Sequence, residues 1–214
     1  MLGLSAGLHY PKFPSGKIVL PINRFGWIQG VTHGTFLTAY TMGDPGNVED
    51  NPSGNKSTQY FYSASRGGTT HRFQRTFFYF QTAGINSTPT NGVFRFHSNS
   101  FISGTGVILL VSEAFGGDGL TALSAADFHL QTDYSKPYSL EYDATSGAGT
   151  GWNEIPLNGD ALNAINTLND FIFVMVTHTH DYGNTAAVGP SNVSAGMAVT
   201  MGNTLFPIEL ILNQ

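Results

Sequence analysis

Two histidines and an aspartate follow one of the apolar runs of the chain, at His178, His180 and Asp181. Residues i and i+2 of a strand point to the same side of a sheet, and two imidazoles with a carboxylate can hold zinc or iron. No third histidine or glutamate at a suitable spacing supports such a site. The remaining histidines are isolated from one another: His9, His33, His71, His97 and His129. We therefore interpret His178–Asp181 as the polar end of the strand Phe171–Val176 and predict no metal ligands.

A stretch rich in glycine, proline and asparagine contains the second set of candidate ligands. Its oxygen-bearing side chains belong to Asp44, Asn47, Glu49, Asp50 and Asn51. Calcium accepts carboxylate and carbonyl oxygens in flexible geometry, but Pro45 and Gly46 replace the alternating ligands of an EF-hand. The composition of Gly43–Asn55 predicts an exposed, solvated loop, with calcium binding as the alternative.

The sequence contains no specific catalytic motif. It lacks Gly-x-Ser-x-Gly, and Gly147–Gly151 lacks the flanking strand and the Lys-Ser/Thr pair of a phosphate-binding loop. Five carboxylates could approach one another in the folded chain, as a glycosidase pair requires: Glu113, Asp118, Asp127, Glu141 and Glu154. Each is as readily a surface residue. We predict that the protein is not an enzyme, has no catalytic or cofactor-binding residues, and uses no cofactor.

Aromatic side chains near predicted loops offer a different chemistry, because such rings can stack on sugars. The five candidates are Trp27, Tyr40, Tyr134, Tyr138 and Trp152. Aromatic residues make up 13% of the chain, and most of them must be buried. We therefore favour core or subunit packing for these rings and keep glycan binding as the alternative.

The composition favours strands and loops over helices. Only 11% of the 214 residues are charged, whereas the chain contains 26 glycines and 16 phenylalanines. A net charge of −5 with 9 lysines and arginines argues against direct binding of nucleic acid. The longest apolar runs, Val107–Val111 and Phe171–Val176, have the length of strands, so we predict no membrane-spanning segment. The absence of cysteine excludes cysteine nucleophiles and zinc–thiolate sites.

About ten short segments of strand character, separated by turn signals, predict an all-β, antiparallel, jelly-roll-like β-sandwich that occupies residues 17–214 as a single domain. The predicted strands are Lys17–Ile22, Phe25–Tyr40, Gln59–Ala64, Arg75–Gln81, Gly92–His97, Val107–Ser112, Phe171–Thr177, Ala195–Thr200 and Leu205–Leu212. In the fourth of these, Phe78 and Phe80 share one face and Phe77 and Tyr79 share the other, which predicts that both faces are covered.

Three further local signals accompany the strands. Ser124–Asp127 has the pattern of a capping box, and Asp160–Asn166 predicts a short helix with Leu162 and Ile165 facing inward. Pro207 predicts an edge position or a strand start, because proline cannot donate to a ladder. Residues 1–16 have neither helical nor strand periodicity, and their apolar content predicts an extended arm that docks on its own subunit or on another.

Two segments, Arg75–Ile85 and Asn91–Phe96, together resemble the DNRLRE-type β-sandwich module. Gly151–Leu157 is similar to the late tryptophan-containing segment of that module, and Phe206–Leu212 to its closing strand. Gln81 stands where the family usually has aspartate. The resemblance implies a sandwich like those of carbohydrate-binding modules, found in surface proteins and in virion proteins of tailed phages.

Together with the composition, this resemblance leads us to expect a virion structural protein, specifically an auxiliary or decorating capsid protein or a tail-associated subunit. Its expected partners are other virion structural proteins, including the major capsid protein, and further copies of itself. The alternative is a carbohydrate-binding module or adhesin that binds a surface glycan.

Overall fold

Two antiparallel sheets pack face to face in the computed structural model, which describes residues 16–66, 68–98, 100–102, 106–143 and 150–214. The predicted all-β sandwich is therefore confirmed. The strands are β1 (Lys17–Pro21), β2 (Arg24–Gly30), β3 (Gly43–Asp50), β4 (Gly54–Ser65), β5 (Gly68–Gln81), β6 (Asn91–Ser98), β7 (Phe101–Ile102), β8 (Val107–Ser112), β9 (Thr132–Pro137), β10 (Gly151–Pro156), β11 (Asp170–Thr177), β12 (Val193–Met201) and β13 (Glu209–Asn213). The helices are α1 (Phe36–Thr41) and α2 (Gly159–Thr167). The predicted arm, apart from Gly16, lies outside the described residues, as does most of the predicted turn at Gly147–Gly151.

The smaller sheet has the strand order β1-β13-β6-β10. The larger sheet has the order β7-β12-β4-β5-β11-β8-β9, with β2 paired to both β5 and β3. The backbone after β9 continues along β8 as far as Tyr142, whose N–H donates to the carbonyl of Val107 over 2.8 Å. Tyr142 also donates through its hydroxyl to the side chain of Asn153 on β10. The edge of the larger sheet at β9 and the edge of the smaller sheet at β10 therefore lie on the same side of the sandwich.

The main core fills the space between the two sheets. Phe78 and Phe80 from β5 and Phe173 from β11 meet Phe94 from β6, and all four side chains are fully buried. Phe77 and Tyr79 belong to a second cluster on the outer face of the larger sheet. The predicted division of β5 into two covered faces is confirmed.

The second cluster is covered by short elements instead of a third sheet. Helix α1 contributes Ala39 and Tyr40, and the stretch between β8 and β9 contributes Phe115, Leu123 and Phe128. A short π-helical turn, His178–Tyr182, follows β11. Polar groups of these covering elements contact one another on the outer face of the larger sheet.

Three strand predictions need correction. Residues 43–55 do not form a loop, because β3 pairs with β2 through Val48 and Ile28, and β4 already begins at Gly54. The segment Phe25–Tyr40 divides into β2 and α1. The last strand begins at Glu209, two residues after Pro207, and not at Leu205.

The predicted short helices agree better with the structure. The helix expected at Asp160–Asn166 is α2, in which Leu162 and Ile165 are buried, and the side chain of Asn158 caps it by accepting from the N–H of Ala161. The capping box at Ser124–Asp127 is present. Among the described residues, no helix combines the length and the apolar content that crossing a membrane would require.

Candidate functional site

The charged side chain of Arg75 is fully buried, and β5 directs it into the second cluster, on the outer face of the larger sheet. Asp181 accepts two hydrogen bonds from it, from Nε to Oδ2 and from Nη2 to Oδ1, each 2.8 Å long. The guanidinium also donates to the backbone carbonyls of Tyr40 and Phe128. Arg75 is 0% and Asp181 1% exposed, so this ion pair is held entirely within protein.

Aromatic rings surround the pair. The Arg75 guanidinium lies 3.9 Å from the ring centroid of Phe128, and Tyr134 donates its hydroxyl to Asp181. Burial raises the pKa of Tyr134 well above its ordinary value, so the hydroxyl stays protonated at neutral pH. Because α1, the turn ending at Phe128 and the turn after β11 all contribute, we interpret this centre as a structural clamp on the covering elements.

The three candidate metal ligands, His178, His180 and Asp181, each have a partner within the protein. Asp181 is the counter-ion of Arg75, while His178 pairs through Nδ1 with Glu141 over 3.1 Å. His180 Nδ1 lies 2.7 Å from the carbonyl oxygen of Thr185. The structure therefore directs the three side chains to different partners. In the part of the chain that the structure describes, no three His, Cys, Asp or Glu side chains are placed to hold a metal.

The candidate calcium ligands are likewise divided among protein partners. Asp50 pairs with Arg24, and Glu49 pairs with Lys56. Asp44 accepts from the backbone of Gly46 and from Asn47, and Asn51 accepts from the backbone of Phe25. These residues of β3, and Asn51 after it, therefore bind to different protein groups, and their oxygen atoms do not converge on one point.

The structure separates the five candidate sugar-stacking rings. Trp27, Tyr40 and Tyr138 are buried, and Trp27 donates through Nε1 to the carbonyl of Ser57. Tyr134 is engaged by Asp181. Trp152 is the most exposed of the five, with 44% of its surface open to solvent. Stacking on a sugar therefore stays available to Trp152 and is wrong for the three buried rings.

The five candidate carboxylates do not all lie at one place in the structure. Asp127 accepts from Ser124 within the capping box. Glu113 and Asp118 line a groove of about 650 Å³, whereas Glu141 and Glu154 line another of about 440 Å³. Four of the five candidate carboxylates therefore lie two to a groove, in two different grooves.

These two grooves are linked to each other and to a third groove through lining residues that are shared or hydrogen-bonded. The third groove, of about 310 Å³, shares Val111 and Glu113 with the largest. Asn158 in the 440 Å³ groove donates its backbone N–H to the carbonyl of Tyr138, which lines the largest groove. We call the residues that line the three grooves the acidic side.

The charge of the acidic side is predominantly negative. Its largest groove contains three carboxylates, the third groove adds one and the 440 Å³ groove adds three, which makes seven of the 14 acidic residues in the chain: Glu113, Asp118, Asp133, Glu141, Asp143, Glu154 and Asp170. Among the described lining residues, Lys136 is the one lysine or arginine, and it pairs with Asp133. The resulting negative potential favours cationic partners.

Each groove of the acidic side also has an exposed leucine. Leu130 is 79%, Leu140 83% and Leu168 48% exposed. Full burial of one such side chain is worth about 1.5–3 kcal/mol. The acidic side therefore combines apolar side chains with unbalanced negative charge.

One buried histidine, His71, and one half-buried histidine, His129, pack against α1 next to the clamp. His71 Nδ1 lies 2.8 Å from the Tyr60 hydroxyl and its ring meets Phe36, while the ring of His129 meets Tyr40 at 4.8 Å. Burial lowers the pKa of His71. Burial, together with the charge of Arg75, lowers the pKa of His129. Both rings are therefore kept neutral against α1.

We expect the protein to lose stability as the pH falls from 7.5 to 5.5. Because the pKa of each histidine is lower in the folded than in the unfolded state, the unfolded chain binds more protons below its pKa of about 6.5, and acid favours unfolding. Urea unfolding at both pH values measures the loss, and the double variant His71→Gln, His129→Gln should show a smaller one. An equal pH dependence in this variant would refute the assignment to these rings.

Sequence reasoning named four carboxylates of the acidic side, as candidates for a glycosidase pair, but missed the other three and the role of Arg75. An arginine within a strand of aromatic residues signals a buried charge that needs a partner. Asp181 lies 106 positions away, and nothing in the local pattern identifies it as that partner. The search against protein-family models gives no match for this chain, and the search of curated proteins gives none either.

Proposed function

We propose that the protein is a structural subunit of a virus particle, which binds neighbouring subunits through its acidic side and carries out no catalysis. The observation that carries the proposal is the juxtaposition of exposed leucines with seven carboxylates and one lysine along three linked grooves. Apolar area supplies binding energy, and the charge steers a cationic neighbour into register. The virus setting is supported by the charge-poor composition and by the resemblance described above.

The remaining surface is compatible with such a role. Most other carboxylates have internal partners, including Asp181, Asp50 and Glu209, which pair with arginines. The acidic side differs from these ion pairs in its balance of charge, because its seven carboxylates are accompanied by one lysine among the described lining residues. A partner that presents lysine or arginine beside apolar side chains fits this surface.

The triple variant Leu130→Ser, Leu140→Ser, Leu168→Ser is expected to be depleted at least about tenfold from particles, because each leucine that a neighbour buries contributes on the scale of 1.4 kcal/mol or more, a factor of ten in affinity. Mass spectrometry of particles purified from cells that carry the gene measures the occupancy. The matched control is Leu37→Ser, Val188→Ser, Leu205→Ser, whose side chains are 61–86% exposed outside the acidic side.

Two outcomes would contradict the proposal. One is a purified wild-type protein that stays monomeric and never accompanies particles. The other is an unchanged occupancy of the triple variant, which would show that the leucines of the acidic side do not face a neighbour.

A further inference from the structure

Trp152 forms an open aromatic platform on the outer face of the smaller sheet. The guanidinium of Arg95 lies 4.8 Å from its ring centroid and covers one face. The rings of His97 and Phe206 stand at 89° and 69° to the indole, with centroids 5.7 and 6.1 Å away. The indole is therefore held in place while 44% of its surface stays exposed.

The neighbours of the platform are themselves fixed. His97 stacks on Phe206 with ring centroids 3.9 Å apart, and Arg95 pairs with Glu209 from β13. A ring that is already immobilised loses little conformational entropy when it binds a ligand. This arrangement favours recognition of a rigid partner by stacking.

Polar groups lie in the next row of the sheet. Glu154 follows Trp152 by two positions on β10, so its side chain points to the same face, and it lies opposite Arg95, which in turn lies opposite Glu209. Rows two residues apart are separated by about 6.7 Å, roughly the span of one sugar ring. The side chain of Arg95 stays 30% exposed while it pairs with Glu209. A carboxylate and a donor thus border an aromatic surface.

This combination fits a saccharide better than other ligands. The C–H face of a pyranose is apolar and matches the indole, while its hydroxyls can donate to Glu154 and accept from Arg95. Two carboxylates around one paired arginine give the row a negative balance, which disfavours phosphates and acidic sugars. We propose that this face binds a neutral pyranose-containing saccharide, a function additional to subunit binding through the acidic side.

A glycan array probed with the full chain tests the proposal, followed by calorimetric titration of the neutral oligosaccharide with the strongest signal. Trp152→Ala should weaken that binding at least about tenfold, the effect of an aromatic hot spot, and Trp152→Phe should retain part of it. The matched control is Trp27→Phe, which alters the buried tryptophan and should keep wild-type affinity.

Three results would overturn the proposal: no neutral glycan bound on the array, a preference for sialylated or sulfated glycans, or binding that survives Trp152→Ala. Circular dichroism of each variant shows whether the fold is intact. Glu154 belongs to both surfaces, but these variants change neither Glu154 nor the leucines of the acidic side, so loss of saccharide binding can be distinguished from loss of subunit binding.

Discussion

Replacement of Arg75 by methionine is expected to lower the free energy of unfolding by about 3–5 kcal/mol, because it leaves the buried carboxylate of Asp181 without its counter-ion. Domains of this kind are stable by about 5–15 kcal/mol, so the variant should unfold at a much lower urea concentration. Urea unfolding followed by tryptophan fluorescence at pH 7.5 measures the change. A loss below about 1 kcal/mol would contradict the interpretation of Arg75 as a clamp.

The double variant Arg75→Met, Asp181→Leu distinguishes the cost of leaving the Asp181 carboxylate unpaired from the loss of the ion pair itself. Apolar side chains can replace a buried ion pair at little cost, so the double variant should be more stable than either single one. The pair Lys136–Asp133 provides the control, since its side chains are 68% and 36% exposed. Lys136→Met should change stability by less than about 1 kcal/mol.

Local patterns were sufficient for those parts of the fold that depend on neighbouring residues. The two-residue period of Phe77–Phe80 predicted which side chains enter each core, and the capping signal and apolar spacing predicted α2. Each of these features depends on residues within one strand or one helix, so it can be predicted without knowing how the rest of the chain folds.

The errors arose where tertiary pairing overrides composition. Residues 43–50 carry turn-forming glycine, proline and asparagine, yet they form β3 because β2 supplies a hydrogen-bonding edge and because Arg24 and Lys56 pair with Asp50 and Glu49. β-propensity is a weak guide in such a context. The strand could be found only by knowing that β2 lies beside it.

The candidate surfaces depend still more on topology. The carboxylates of the acidic side extend from Glu113 to Asp170 in the chain, and the fold brings them into three linked grooves. The platform at Trp152 similarly needs Phe206 and His97 from distant segments. Sequence identified the residue types, whereas strand order decides which of them become neighbours.

Strand order in turn depends on the contact between the two sheets, and Phe173→Ala should weaken that contact most directly. The ring of Phe173 on β11 lies 4.9 Å from that of Phe94 on β6 and 5.2 Å from that of Phe78 on β5, measured between centroids. Truncation of a fully buried phenylalanine costs about 3–5 kcal/mol, whereas Phe173→Leu should cost less because it leaves a smaller cavity.

Leu120→Ala is the control for Phe173→Ala, because 83% of Leu120 is exposed and its truncation should change stability by no more than about 0.5 kcal/mol. Urea unfolding measures all three variants. An equal loss for Phe173→Ala and Leu120→Ala would mean that the phenylalanines do not join the sheets.

Because β6 carries both Phe94 in the core and His97 beside Trp152, a weakened contact between the sheets should also disturb the saccharide platform. Phe173→Ala is therefore expected to reduce the affinity for a neutral saccharide even though it touches none of the proposed binding residues.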